Sequence, residues 1–265
     1  MHGLCNTVAY YAKTLLYVES NPDQLLDLLI VIPVYQEAFR IESTVKEIIE
    51  FFKNKQLSYQ IVLSVDPSPD GSELVCKDLS ETYKDVTLII GNKKAGRGIA
   101  VRRAWETYEA KVYSFIDADL SVGLDALFEG FSLIRDDFAK FVIGSRYSAG
   151  SVTIRPPLRK VVSFSYNVIL QKLFKNEIKD YQCGLKIMSK DIMNPIVDLS
   201  RVNSWFWDAE IIIIALHLHI SVFQLPVRWY EVKYSRTSLK RLFHDIILHG
   251  WGILLLFKRL RNYSV

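Results

Sequence analysis

The sequence is poor in cysteine: Cys5, Cys76 and Cys183 are the only three, widely spaced and without a Cys-X-X-Cys pair. An odd, scattered set of this kind supplies neither a disulfide framework nor a thiolate zinc site, and it fits a reducing compartment. Long apolar runs are scarce as well. The segment Val8 to Val18 is interrupted by Lys13 and falls far short of the roughly 20 residues that span a bilayer. No basic region with a small-residue cleavage site flanks it to make a secretory signal. Charge of one sign is not in excess, since 33 Lys and Arg against 29 Asp and Glu leave +4, too little to argue for a nucleic-acid partner. The histidine pair His217 and His219 lacks the spacing of two ligands on one helix face. Internal repeats and low-complexity stretches are absent, which excludes solenoids and wholesale disorder.

What is present describes a globular enzyme-sized chain. Half of its 265 residues are hydrophobic and 23% are charged, enough apolar material for one large α/β domain. Apolar runs end in turn residues at Leu28 to Tyr35, Tyr59 to Val65, Val86 to Ile90, Tyr113 to Ile116 and Lys140 to Gly144. They read as buried strands of a mostly parallel sheet. Between them, segments of helical period run from Ile41 to Phe52, Ile99 to Tyr108, Leu124 to Ile134 and Lys160 to Phe174, which implies right-handed crossovers. The expected organisation is an N-terminal helix or arm over residues 1–24, an α/β domain over 25–236 and an amphipathic helix within 237–265.

Chemistry concentrates where the strands stop, the place where open α/β sheets bind ligands. Asp117-Ala118-Asp119-Leu120-Ser121 closes the fourth strand. Its carboxylates suit a hard divalent ion such as Mg²⁺ or Mn²⁺, although the tripeptide alone also suits a solvated turn. Gly91 to Gly98 combines glycines with Lys93, Lys94 and Arg97 just before a helix. Such a loop can hold phosphate, because glycine lets backbone donors approach and the helix N-terminus favours an anion; a flexible turn is the plainer reading. Arg146 ends a later strand, Arg155, Arg159 and Lys160 crowd a Pro-containing loop, and Asp208 and Glu210 open an apolar helix, where they either do chemistry or complement its dipole.

In this order the motifs resemble those of family 2 glycosyltransferases with a GT-A (Rossmann-like) fold, in particular the polyprenyl- or dolichyl-phosphate sugar synthases. The likeness runs from about Leu28 to Arg236. Pro33-Val34-Tyr35-Gln36-Glu37 matches a Pro-X-Tyr-X-Glu segment lying against the nucleotide. Asp66 to Gly71 follows an acidic loop, with Val65 and Pro67 departing from the usual pattern. Gly96-Arg97-Gly98 stands for Gly-Lys-Gly, Asp117-Ala118-Asp119-Leu120 for the metal-binding motif, and Gly144-Ser145-Arg146 for Gly-Ser-Arg. Arg159-Lys160-Val161-Val162-Ser163 approximates Arg-Arg-X-X-Ser. Asp180 to Lys186, Trp207 to Glu210 and Leu225 to Trp229 complete the series.

The resemblance implies an inverting transfer of hexose from a UDP-glucose or GDP-mannose type donor to polyprenyl phosphate. Pro33, Tyr35, Glu37, Asp66, Gly96, Arg97 and Asp117 would then bind nucleotide. Asp119, with Asp117 and Ser121, would hold Mg²⁺ or Mn²⁺, and Arg155, Arg159, Lys160, Ser163 and Lys186 would hold the acceptor phosphate. Asp117, Asp119 and Arg146 carry the catalytic reading, with Asp208 or Glu210 as the base a hydroxyl acceptor would need. Leu239 to Leu260, apolar with cations at both ends, suits an interfacial helix and so a peripheral place on the cytoplasmic face of a membrane; core packing or dimerisation are its other uses. The rival readings are a soluble transferase acting on a saccharide or protein hydroxyl and an inactive nucleotide-sugar binder.

Overall fold

The computed structural model describes residues 25–203, 205–230, 250 and 252–260. The expected N-terminal arm lies outside them, as does most of the expected C-terminal helix, of which residues 252–260 are helical (α8).

The strands are β1 (Leu26–Val34), β2 (Tyr59–Val65), β3 (Val86–Ile90), β4 (Ala110–Ile116), β5 (Phe141–Ser145), β6 (Val152–Ile154), β7 (Leu185–Ser189), β8 (Val222–Pro226) and β9 (Arg228–Tyr230). The helices before α8 are α1 (Ile41–Phe52), α2 (Ser72–Thr82), α3 (Arg97–Thr107), α4 (Leu124–Arg135), α5 (Pro157–Phe174), α6 (Lys190–Leu199) and α7 (Trp207–His217). Seven strands form one sheet in the order β3-β2-β1-β4-β7-β5-β8. All neighbours are parallel except β7, which runs antiparallel to both β4 and β5.

The apolar runs are long because the sheet is covered on both faces. Along β1, Leu28, Ile30, Ile32 and Val34 join the core under α1, α2 and α4. The intervening Leu29 and Val31 join the core under α3, α6 and α7, the period-two alternation of a strand. Helix α1 meets its face through Ile41, Val45, Ile48 and Phe52, spaced as one helical stripe. Three features were not anticipated. The stretch Gly150 to Arg159, expected as a basic loop, contains β6, which pairs in parallel with β9. Helix α6 carries Pro195 inside it, and β8 begins at Val222, three residues before Leu225, where the last of the matched motifs starts.

Candidate active site

The parallel strands β1, β2, β4 and β5 stop at one rim, and antiparallel β7 begins there. At the end of β4 the chain turns through Leu120, a non-glycine residue in the left-handed region at φ 46°, a conformation that costs energy and gathers at functional sites. The Thr44 hydroxyl of α1 donates to the Ala118 carbonyl at 2.6 Å and fixes this turn. Asp119 Oδ1 accepts the Ser121 N–H at 3.0 Å, while its Oδ2 lies 3.9 Å from Arg40. The Ser121 hydroxyl is buried with no hydrogen-bond partner among the described residues. Asp117 accepts from Arg97 at 2.5 Å. Its other oxygen rests against Gly184, where any Cβ would collide with the carboxylate.

Arg97, the first residue of α3, bridges two carboxylates, since its other nitrogen donates to Asp208 at 2.7 Å. Its guanidinium stacks 3.8 Å from the Trp205 ring. Burial raises the Asp117 carboxyl above its ordinary range, with Arg97 opposing and Asp119 and Asp208 reinforcing the rise. Glu37 is pushed up to about 7 by burial, which Arg40 counters and the Asp119, Asp117 and Asp70 charges reinforce. Arg40 is 2.9 Å from Glu37, yet those two atoms lie outside hydrogen-bond geometry, so the pair offsets burial only in part.

The glycine-rich loop is held from below. Asp66 Oδ2 accepts the Ala95 and Gly96 N–H groups at 2.8 Å each, and Arg103 stands 3.5 Å from its other oxygen. Asp66 is 3% exposed, so here it shapes the loop. Asp70 does the same for the Glu37 segment, accepting the Ala38 N–H at 3.1 Å. Lys94 caps the Tyr35 ring at 4.0 Å, and Pro33 lies in register with Ser64 one residue before β1 ends.

The other expected cations are engaged. Arg146 is buried in a two-pronged pair with Asp180, both contacts 2.7 Å; burial pushes the Asp180 carboxyl up, but the charge and hydrogen bonds of Arg146 together with the Lys186 charge leave it below its ordinary value. Lys186 is fully buried and donates to the Tyr181 and Cys183 carbonyls, with burial lowering its pKa. Neither is an open surface charge. Glu210 accepts the backbone N–H groups of Arg201 and Val202 and pairs with Arg259, an anchoring role rather than that of a base facing substrate. Asp208 Oδ1 is buried without a partner among the described residues.

Helix α5 leans over this rim. Ser163 accepts from Arg155 at 2.9 Å, Asn167 accepts the Tyr181 N–H at 3.3 Å, and burial together with the nearby Asp208 charge drives the Tyr166 phenol upward. Arg159 and Lys160 occupy the first turn of α5. Sequence reasoning passed over Arg40, Arg103, Tyr166 and Trp205. Only Arg40 left a signal, its three-residue spacing from Glu37; Trp205 was hidden in an apolar run. Cys76 and Cys183 are buried free thiols.

The oxygen atoms at the end of β4 suit a hard divalent ion. Oxygen ligands alone are offered, Asp119 presents a carboxylate oxygen that no hydrogen bond occupies, and the unpartnered Ser121 hydroxyl sits two residues away. Among the described residues no group of three or more acidic, His or Cys side chains is arranged to hold a metal ion, so the chain supplies at most part of a coordination shell and leaves the rest to phosphate and water.

The family model for glycosyl transferase family 2 matches residues 29–196. Glycosyltransferase AglD of Haloferax volcanii is 27% identical over 231 residues, covering 86% of this chain but 36% of that protein; the chain thus spans about a third of that relative's length. The dolichyl-phosphate beta-glucosyltransferase of Saccharomyces cerevisiae is 27% identical over 240 residues, covering 83% of this chain and 72% of that one. The fold matches the crystal structure of glucosyl-3-phosphoglycerate synthase from Mycobacterium tuberculosis in complex with Mn²⁺, UDP and phosphoglyceric acid, with TM-score 0.66 and 13% identity over 89% of this chain and 78% of that one.

Proposed function

We propose, from the premise that this chain belongs to glycosyl transferase family 2, that it passes a hexose from a nucleoside-diphosphate sugar to a polyprenyl phosphate with inversion. The premise makes it a glycosyltransferase of GT-A fold. The acceptor reading draws on relatives named for dolichyl phosphate.

The observation that carries it is the state of the two acids that open α7. Transfer to a hydroxyl needs a general base within reach of the proton it removes. Glu210 spends both oxygens on amides and Arg259, and Asp208, 1% exposed, gives Oδ2 to Arg97 and keeps only a buried Oδ1 unpartnered among the described residues. A phosphate acceptor is already ionised at neutral pH and needs no base, so the engagement of Glu210 and the burial of Asp208 favour it over a hydroxyl.

In this reading the diphosphate lies at the N-terminus of α3, where the positive end of the helix dipole and Arg97 favour negative charge. Asp119, with Asp117 and Ser121, would hold Mg²⁺ or Mn²⁺, which when bound supplies Lewis-acid stabilisation of the departing diphosphate. Glu37, Tyr35, Pro33 and Asp66 shape the nucleotide's bed. Arg155, Arg159, Lys160 and Ser163 present the acceptor phosphate for in-line attack, and Arg146 and Lys186 act from beneath, holding the rim through Asp180 and the Tyr181 to Cys183 turn. Among the described residues no helix is long and apolar enough to cross a membrane, and peripheral attachment at the cytoplasmic face brings a lipid acceptor to this rim.

The test is transfer from labelled UDP-glucose or GDP-mannose with Mn²⁺ and polyprenyl phosphate. Label should enter the organic phase, and Asp119→Ala should lower kcat/KM by about 10²-fold or more. Unchanged turnover in the variant rejects the metal assignment, and label appearing only on water-soluble acceptors rejects the lipid one.

A further inference from the structure

Helix α8 is tied to the catalytic rim by an unbroken set of contacts. It packs so closely on the start of α7 that a Cβ on Gly252 would stand 2.5 Å from the Phe206 ring, and Leu256 is buried beneath it. One turn on, Arg259 pairs with Glu210, whose side chain has no exposure. Glu210 in turn accepts the Arg201 N–H at 3.0 Å and the Val202 N–H at 2.9 Å. The next residue, Asn203, accepts the Gly98 N–H through its carbonyl at 3.0 Å and the Arg102 guanidinium through its side chain. Arg102 also donates to the Ser200 carbonyl at 3.0 Å. Gly98 is the second residue of α3, directly after Arg97.

We propose that Arg259 is a positioning residue for donor binding: acting through Glu210, it fixes the 200–203 loop and thereby the first turn of α3 and the Arg97 guanidinium. Without Arg259 a buried carboxylate keeps its amides but loses the cation paired to it, and removing one partner of a buried charge pair is strongly unfavourable. The remedy open to the chain is to swing Glu210 toward Arg102 or solvent. Either movement releases the Arg201 and Val202 amides and lets the Asn203 carbonyl leave Gly98. The inference rests on the proposed placement of the diphosphate at α3, and it makes no claim on the acceptor.

The experiment uses the full chain, with calorimetric titration of UDP and GDP in Mn²⁺ beside steady-state kinetics. Arg259→Gln should raise the donor KM and the nucleotide Kd about tenfold, the scale of an outer-shell loss, and leave the acceptor KM unchanged. Arg259→Lys, which keeps the charge, should recover most of the affinity. Asn203→Ala, at the exposed far end of the loop, should weaken the nucleotide about threefold without lowering Tm and serves where Arg259→Gln does not fold. Transfer by the wild type with donor affinity unmoved in Arg259→Gln, or in Asn203→Ala if only that variant folds, overturns the inference and leaves the function standing. Nucleotide binding that weakens in the variants of a wild type unable to transfer sugar supports the inference and overturns the function. A wild type that binds neither nucleotide overturns both.

Discussion

At the scale of single residues, Glu37 has a folded pKa of about 7 against the ordinary 4.5, so the native state holds a proton that the unfolded chain releases. The corresponding stability is complete below pH 4.5 and is lost as pH rises through 7. Glu37→Gln keeps the neutral form at every pH. Urea denaturation in chelator should therefore find the variant gaining on the wild type between pH 5 and 7.5, by about 1–3 kcal/mol. A constant difference across that range would contradict the assignment. Partnership of this kind was not legible in the sequence, whereas charge and position were. Asp117, Asp119 and Arg97 stood out because an apolar run stopping at carboxylates and a glycine-flanked cation each have a chemical reading of their own. Arg146 and Lys186 were legible as cations near the rim, yet nothing beside Arg146 announced its pairing with Asp180, 34 residues away, and nothing beside Lys186 the carbonyls that absorb its ammonium.

At the scale of elements, periodicity located the crossover helices and parallel strands, because each buries one stripe or alternates between two cores. It did not locate β7 as an antiparallel insertion, since direction within a sheet leaves no mark on an apolar run of five residues. Helix α6 was obscured by Pro195, which argues against a helix interior, and β6 by its three-residue length among basic and proline neighbours. The insertion of β7 matters for chemistry. Pairing Ile116 with Leu185 brings the turn before β7 against the turn after β4, and the Asp117 N–H donates to the Gly184 carbonyl at 3.2 Å. No side chain at position 184 fits beside Asp117. Gly184→Ala should push that carboxylate away from Arg97 and cost at least tenfold in kcat/KM, while circular dichroism shows the fold retained. Wild-type kinetics in this variant would mean that the two turns separate freely and that their juxtaposition does not set the site.

For the whole molecule the question is how the rim would meet the lipid-borne acceptor proposed for it. Helix α5 leaves Val161, Phe164, Ile169 and Leu173 exposed along one side, and α8 leaves Leu254, Leu255 and Phe257. The two helices touch where Phe174 meets Phe257, ring centroids 6.3 Å apart, so the apolar surfaces adjoin. Lys160, Lys172 and Lys258 are exposed on the same helices, the combination of apolar side chains and cations that suits an anionic interface. The inner side of α8 carries Gly252, Leu256 and Arg259, so one short helix faces both the proposed bilayer and the Glu210 anchor. Leu254→Asp with Leu255→Asp places two anions on the outer side and leaves the inner one intact. In sedimentation with vesicles containing anionic phospholipid, each leucine lost forfeits about 1 kcal/mol or more of apolar burial and each aspartate adds repulsion. The partition coefficient should therefore fall at least tenfold. Activity toward a short, water-soluble prenyl phosphate should stay within about twofold of wild type, because the chemistry needs the phosphate and not the surface. Equal losses on both acceptors would place these leucines in the fold, and unchanged sedimentation would move the membrane contact elsewhere.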